Sequence, residues 1–421
     1  MDPDTLARRI RQEAADRGLE WVGVVAPETE ERDAETYRRW LEAGHHGAMA
    51  YMARPDAVAR REALEETMAE VRSVVVLAEP YHPEDPEGIP DDPSKGVVAR
   101  YARGRDYHKV LLRKLQAILR ELPEGVGGRA YVDTGPILER ALGRMAGLGW
   151  QGKNTMLIHP RRGSYFFLGT LLLDAEVAGA GGAEEVGDHC GTCRACLDAC
   201  PTGALLGRDE TGAPVMDARK CISYLTIELR GSIPRELRPL MGNRVFGCDI
   251  CQEVCPWNER FAAGSAEPGY AARGPGERPT GVEASEAPVI AEAETGGDVL
   301  AGTSGREHAH PGTDSPSLIE LLEMALAEGA WDDFSRGSAI RRAGRAGFAR
   351  NVCVGLGNWG SSEAVPVLSD ALFDPEPVVR SHAAWALGRV DSAEARSALS
   401  SRFPRELVPT VAAEINAALD S

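Results

Sequence analysis

The sequence predicts a multidomain α+β protein: an α/β domain first, a cysteine-rich module next, and α–α repeats last. Three observations carry that reading. Helical and strand-like patterns alternate through residues 1–175. Eight of the nine cysteines fall within residues 188–258. Leu356-Gly357 and Glu363-Ala364 return as Leu387-Gly388 and Glu394-Ala395, each 31 residues on. At 421 residues the chain exceeds one core and calls for two to four domains.

Thr5 to Gly18 predicts a helix with Leu6, Ile10 and Ala14 on one face. Trp21 to Val25 and Val74 to Leu77 have the character of short buried strands. Lys109 to Leu122 is a strongly amphipathic helix, and Gly128 to Asp133 a strand. Pro136 opens the next helix, where its missing N–H costs nothing. Met156 to His159 and Tyr165 to Leu173 close the region as strands. From Phe261 through Pro316 the composition shifts to small and polar residues, with nine acids against three arginines. Such a stretch buries too little to offset its ordering entropy, which predicts a loose acidic insertion. Beyond it, short helices parted by Asp, Ser and Pro turns at a 31-residue period have the pattern of stacked HEAT-like α-hairpins. The expected division is 1–180, 181–261, 262–316 and 317–421.

Composition narrows the setting. With 43% hydrophobic and 26% charged residues the chain is globular. The start, Met1-Asp2-Pro3-Asp4, is acidic with no apolar h-region behind it, and no run reaches the roughly 18 apolar residues of a membrane span. A cytoplasmic protein without a membrane partner is expected, as a monomer. In a reducing compartment nine cysteines are better metal ligands than disulfides. The net charge of −17 argues against a general nucleic-acid binder but leaves room for a local basic patch.

The cysteine spacing is specific. Cys190, Cys193, Cys196 and Cys200-Pro201 form a CxxCxxCxxxCP run, the spacing of bacterial ferredoxins with 4Fe–4S clusters. Three closely spaced thiolates wrap one cubane, and the fourth is carried off by the following helix to serve another. A second run, Cys248, Cys251 and Cys255-Pro256, lacks one upstream cysteine, which Cys221 can supply. By ferredoxin logic Cys190, Cys193, Cys196 and Cys255 hold one cluster, and Cys200, Cys221, Cys248 and Cys251 the other. The competing reading is structural zinc, which pairs two CxxC knuckles instead. Cys353, alone among the repeats, reads as a buried inert thiol. Two clusters mean electron transfer, but spacing alone does not name the acceptor.

Several strings point to one family. They are Val98-Ala99-Arg100-Tyr101-Ala102-Arg103-Gly104-Arg105-Asp106-Tyr107-His108, Val132-Asp133-Thr134-Gly135-Pro136-Ile137-Leu138-Glu139-Arg140 and Gly149-Trp150-Gln151-Gly152-Lys153-Asn154. With them stand Cys221-Ile222-Ser223-Tyr224-Leu225-Thr226-Ile227-Glu228 and Arg238-Pro239-Leu240-Met241-Gly242-Asn243-Arg244. The sequence closely resembles the tRNA epoxyqueuosine reductases, densely over about residues 1–260 and in architecture alone across the repeats.

The resemblance implies a cobalamin bound base-off between the amino-terminal domain and the cluster module. It implies reduction of epoxyqueuosine to queuosine at the wobble position of tRNAs for Asp, Asn, His and Tyr, the last step of queuosine biosynthesis. Electrons pass through the clusters to cobalamin from an external donor such as a flavodoxin or ferredoxin. Asp133 matches the family's proton donor, and a carboxyl donates at neutral pH only if burial raises its pKa; otherwise an Asp before Thr-Gly-Pro is a cap or turn residue. Arg54, Tyr101, Lys153 and Asn154 lie in family-like strings and are candidate corrin contacts; each also reads as a surface or packing residue. Ser223, Tyr224 and Glu228 stand beside a cluster ligand and either line the cofactor or pack. Asp106 and His108 read as a helix cap and a polar face, with no histidine assigned to cobalt.

On the helix expected from Ser338 to Phe348, Arg341, Arg342 and Arg345 fall on one face and are the candidate tRNA-phosphate contacts. Arg235, Arg238 and Arg244 are the fallback. Two rival readings stand. One is a cobalamin-dependent reductase of another substrate, like the reductive dehalogenases, which usually carry a twin-arginine export signal and lack such repeats. The other is a non-catalytic ferredoxin-type carrier, which leaves the first 175 residues unexplained.

Overall fold

The structure, a computed structural model, describes residues 2–19, 21–82, 92–180, 183–262, 264–277 and 310–420. The first region is built on four antiparallel strands: β1 (Trp21–Val25), β2 (Ser73–Pro80), β3 (Gly128–Tyr131) and β4 (Phe166–Leu173), in the spatial order β1-β2-β4-β3. Both faces of β2 are covered, which explains its unbroken apolar run. Val75 and Leu77 pack toward α1 (Pro3–Ala15) and α2 (Tyr107–Glu121), while Val74, Val76 and Ala78 face α3 (Glu139–Met145) and its flanks. The period-2 alternation of a strand thus feeds two cores from one segment.

The expected strands and helices are present within a few residues, with one difference that matters. The strand expected to reach Asp133 ends at Tyr131, and the helix expected from Pro136 begins at Glu139. Between them Asp133 turns into the left-handed region, φ 57°. Glu139 reaches back and accepts the Asp133 N–H at 2.9 and 3.0 Å, so this N–H is satisfied by a carboxylate instead of a strand neighbour. Aspartate tolerates this conformation better than most residues, at a cost of about 1 kcal/mol.

The cysteine module is joined to the first region by a short parallel pairing of Val97–Val98 with Arg244–Phe246. Buried Arg100 reinforces it, bonding Glu253 at 2.7 Å and lying 3.4 Å from Asp249. The repeats are α4 (Leu318–Leu326), α5 (Gly344–Trp359), α6 (Pro377–Val390) and α7 (Pro409–Leu419), with shorter helices between them. The 31-residue echo has a packing cause. A Cβ on Gly357 would stand 2.6 Å from Trp385 and 2.9 Å from the Ala386 backbone; one on Gly388 would stand 2.8 Å from Ala418. Each Leu-Gly pair therefore marks where one long helix lies closest to the next.

The repeats do not form a separate core. Val98, Ile222, Leu225, Val245 and Phe246 belong to the same apolar cluster as Phe348, Leu356 and Leu387. Fully buried Arg350 donates to the carbonyls of Leu225, Leu229 and Gly231 at 2.6–2.7 Å, and Asn351 to those of Thr226 and Val245 at 2.8 and 2.9 Å.

Of the acidic stretch 262–316, residue 263 and residues 278–309 lie outside the described residues. Its described flanks are packed, contrary to the loose insertion expected. Tyr270, 3% exposed, donates to Glu79 at 2.6 Å, and Thr313 accepts from Arg273 N and donates to the Arg103 carbonyl. Composition averaged over the stretch concealed these anchors.

Candidate active site

The cysteines divide by their mutual charges. Burial raises the Cys196 thiol to about 11, and Cys190, Cys255 and Cys193 are the thiols that add to the push. Burial likewise raises Cys221, with Cys200 adding, and lifts Cys248 to about 12, with Cys221 adding. Cys251 feels Cys248 and Cys221 first among thiols, and Cys196 more weakly. Two groups of four result, close enough to sense each other. Neutral thiols this buried favour a resident cation cluster, whose charge replaces the protons. Cys353 is fully buried and remote from both groups in sequence.

Neighbours tune these thiols. Trp150 Nε1 donates to Cys190 Sγ at 3.5 Å. Ser223 donates to Cys221 from both backbone and side chain, opposing the rise that burial causes. Lys153 and Asn154, expected against a corrin, are instead committed to the cluster loops. Lys153 Nζ donates to the carbonyls of Gly191 and Cys193 at 2.7 and 2.8 Å, and Asn154 Nδ2 to that of Cys251 at 3.2 Å. Arg54 is exposed and paired with its neighbour Asp56 at 3.0 Å.

Where the first region meets the second thiol group, Tyr101 lies 3.5 Å from the Cβ position of Gly247, the residue before Cys248. The charges of Asp133 and Glu228 both bear on Tyr101 and on Tyr51. Tyr51, not anticipated from the sequence, is 44% exposed and lies under the Arg342 guanidinium, 5.7 Å from its ring centroid. Arg342 in turn binds Glu228 through both oxygens at 2.8 and 2.9 Å. The Tyr224 hydroxyl accepts from Ala48 N at 2.7 Å and supports the loop that leads into Tyr51.

The Asp133 side chain is 65% exposed. Loss of surrounding water pushes its carboxyl up, but the hydrogen bond and charge of His108, with Tyr107 and Arg140, outweigh that push and hold it below the ordinary range. The open side weakens desolvation further, so the direction is secure. This reverses the expectation that burial raises Asp133. The raised groups are its neighbours. Burial lowers His108, but its hydrogen bonds to Asp106 and Asp133 more than reverse this, to about 9. Burial, then the Asp133 charge, lifts Glu139 to about 8.

The three arginines expected on one helix face are separated. Gly344, φ 69°, breaks the predicted helix into a 3-10 turn, Ala339–Ala343, and the start of α5. Arg341 pairs with Asp332, Arg342 with Glu228, and Arg345 with Asp374 at 2.7 Å. Arg341 and Arg342 remain more than half exposed, whereas Arg345 is tied inside the repeats, donating also to the Ala325 carbonyl. Of the fallback set, Arg235 and buried Arg238 are both paired with Glu414.

A two-cluster cysteine module against an α+β domain, with an exposed aspartate on the domain and helical repeats packed behind the module, defines an iron–sulfur oxidoreductase. Family models match in three places: a 4Fe-4S double cluster binding domain over residues 189–258, Epoxyqueuosine reductase QueG, DUF1730 over 61–134, and HEAT repeats over 335–420. The epoxyqueuosine reductase of Pseudomonas aeruginosa is 40% identical over 397 residues, covering 92% of this chain and 95% of its own length. That of Escherichia coli is 35% identical over 394 residues, covering 92% and 90%. The chain belongs to the epoxyqueuosine reductase family, and the reading as a non-catalytic carrier falls away. Among solved structures, an epoxyqueuosine reductase with a tRNA-Tyr epoxyqueuosine-modified stem loop matches with a TM-score of 0.79 and 25% identity, over 99% of this chain and 98% of that one. Another, from Bacillus subtilis with an aspartate-bearing catalytic loop swung out of its active site, matches with a TM-score of 0.78 and 25% identity, over 99% and 98%. Among the described residues no helix is long and apolar enough to cross a membrane.

Proposed function

We propose that this chain reduces epoxyqueuosine to queuosine at the wobble position of tRNAs for Asp, Asn, His and Tyr, in the cytoplasm, with electrons supplied by an external single-electron donor of flavodoxin or ferredoxin type. The observation that carries this reading is Asp133, an exposed carboxyl whose charge bears on Tyr101, itself 3.5 Å from the Cβ position of the residue before Cys248. Cys190, Cys193, Cys196 and Cys255 hold one cluster, and Cys200, Cys221, Cys248 and Cys251 the other. A base-off cobalamin would be held at this junction by Tyr101 and Tyr51, beside the Asp133 carboxylate and the Glu228–Arg342 pair. Bound there, cobalamin supplies the nucleophilic two-electron chemistry that side chains lack.

The chain's own work is positioning and proton supply. Asp133 donates to the oxygen released from the epoxide. Tyr101 stands beside the residue before Cys248, and Ser223 donates to Cys221. The exposed Arg341 and Arg342 meet phosphates of an anticodon stem. The Bacillus subtilis relative with its catalytic loop swung out supports a mobile role for the turn that carries Asp133. The decisive experiment is mass spectrometry of tRNA nucleosides from a strain lacking its own epoxyqueuosine reductase, with and without this chain. Conversion of epoxyqueuosine to queuosine is expected; unchanged epoxyqueuosine beside soluble, cluster-loaded protein overturns the proposal.

A further inference from the structure

We infer that His108, held by Asp106, is the proton store that loads Asp133, so that protons reach the substrate along the line Asp106–His108–Asp133. The inference rests on the proposed function and adds a residue to it.

The geometry is a chain of three side chains. Asp106 caps α2, accepting from His108 N at 3.1 Å, and the same oxygen takes the ring Nδ1–H at 2.7 Å. That fixes the ring so that Nε2–H points at Asp133 Oδ2, 3.2 Å away. The Tyr107 ring stacks on the imidazole, centroids 3.9 Å apart, and prevents it from swinging out of line. From the opposite element Glu139 grips the Asp133 N–H and holds its carboxyl toward the ring. Asp106, Asp133, Glu139 and Arg140 are the charged groups around the pair, three acids against one base. An imidazolium is therefore favoured here over an ordinary histidine.

The chemistry needs such a store. Removing the epoxide oxygen as water breaks two C–O bonds, forms one C=C bond, and consumes two electrons and two protons. The external single-electron donor of the proposed function supplies the electrons. A carboxyl held below its ordinary pKa is empty at neutral pH and cannot supply a proton by itself. With His108 behind it, a proton moves from Nε2 to the Asp133 carboxylate, which passes it on to the developing oxyanion and is left ionised beside a neutral imidazole. The neutral imidazole, 28% exposed, then recharges from solvent for the second proton. His108 acts through Asp133 and is a positioning and relay residue.

Asp106→Asn tests this without removing the helix cap, because asparagine caps as well as aspartate. In the apoprotein, the His108 pKa read by NMR is expected near 9 and should fall by one to two units in Asp106→Asn. In the loaded enzyme, turnover of an epoxyqueuosine stem loop should have an alkaline limb at the wild-type pKa, which moves down with the variant while KM and iron content hold. His108→Gln keeps a donor but cannot titrate; kcat should fall by about 10²-fold or more and the limb should vanish. The inference is overturned if Asp106→Asn lowers the NMR pKa while the limb stays, or if His108→Gln turns over like wild type. Failure of the proposed function reads differently, as wild type with no turnover at any pH.

Discussion

At the scale of the residue, the site is a set of opposed ionisations. Asp133 is held low, whereas His108 is raised to about 9 and Glu139 to about 8. Asp133→Asn keeps the shape and removes the transferable proton. Turnover should drop by about 10²–10⁴, with iron content and the bound cobalamin spectrum unchanged. Wild-type turnover by this variant reduces Asp133 to a turn residue. The same shifts set a pH dependence of stability. A histidine raised above its unfolded value stabilises fully below pH 6.5 and loses that contribution as pH rises through about 9. A buried glutamate raised from 4.5 to about 8 penalises the fold as it ionises between those values. Both act in one direction, so the Tm of the apoprotein should fall between pH 7 and 9.5, and His108→Gln should flatten the fall. That Asp133 is the candidate acid was legible from its string. The sign of its ionisation was not, because His108 is 25 residues away in the chain.

At the scale of the element, spacing proved informative where ligands repeat at short intervals and less so where a glycine resets the backbone. Strands β1, β2 and β4 and helix α2 follow from periodicity because burial on one or both faces enforces it. The arginine face from 341 to 345 does not exist, because Gly344 at φ 69° interrupts the helix, and no apolar pattern announces that break. The consequences differ by residue. Arg341→Gln with Arg342→Gln should weaken binding of a cognate stem loop and lower the log–log salt slope by about 2. Arg345→Gln should leave that slope alone and lower stability, because it strands buried Asp374. An unchanged slope in the double variant moves the docking surface elsewhere. Within the cysteine module, Cys200→Ala should damage the cluster held by Cys221, Cys248 and Cys251 and spare that of its near neighbours. EPR showing loss of the other cluster instead contradicts the crossover. The element that ties this module to the repeats is α5: Arg350→Leu takes its donor from the buried Leu225 carbonyl and from the part-buried carbonyls of Leu229 and Gly231, and leaves Asn351 Oδ1 without its guanidinium. A loss of about 3 kcal/mol is expected, seen as a lower denaturant midpoint.

At the scale of the whole molecule, the expected division into separate domains meets a shared core. Composition and repeat period separate the repeats from the cysteine module, yet Phe246 and Phe348 lie in one apolar cluster. Such contacts join residues a hundred positions apart, and local pattern carries no trace of them. The acidic stretch repeats the lesson in reverse, because its average composition hides Tyr270, Arg273 and Thr313, which bridge the first region and the repeats. Removing residues 265–312 as one insertion would take Glu267, Tyr270 and Arg273 with it, and the Glu79–Lys114 pair would lose both the Glu267 carboxylate and the Tyr270 hydroxyl. The narrower deletion behaves differently. Gly276 N donates to the His310 carbonyl at 2.7 Å, so the two ends already meet and a turn of a few residues can join them. Residues 278–309 carry most of the acids and few large apolar side chains, and their loss removes little burial. Replacing 278–309 with a short Gly-Ser link should leave iron content, Tm and turnover near wild type, whereas removing 265–312 should lower Tm by several degrees at least. A soluble, cluster-replete but inactive 278–309 variant assigns that segment a role in the reaction; equal Tm in the two deletions shows that Tyr270 and Arg273 do not anchor the fold.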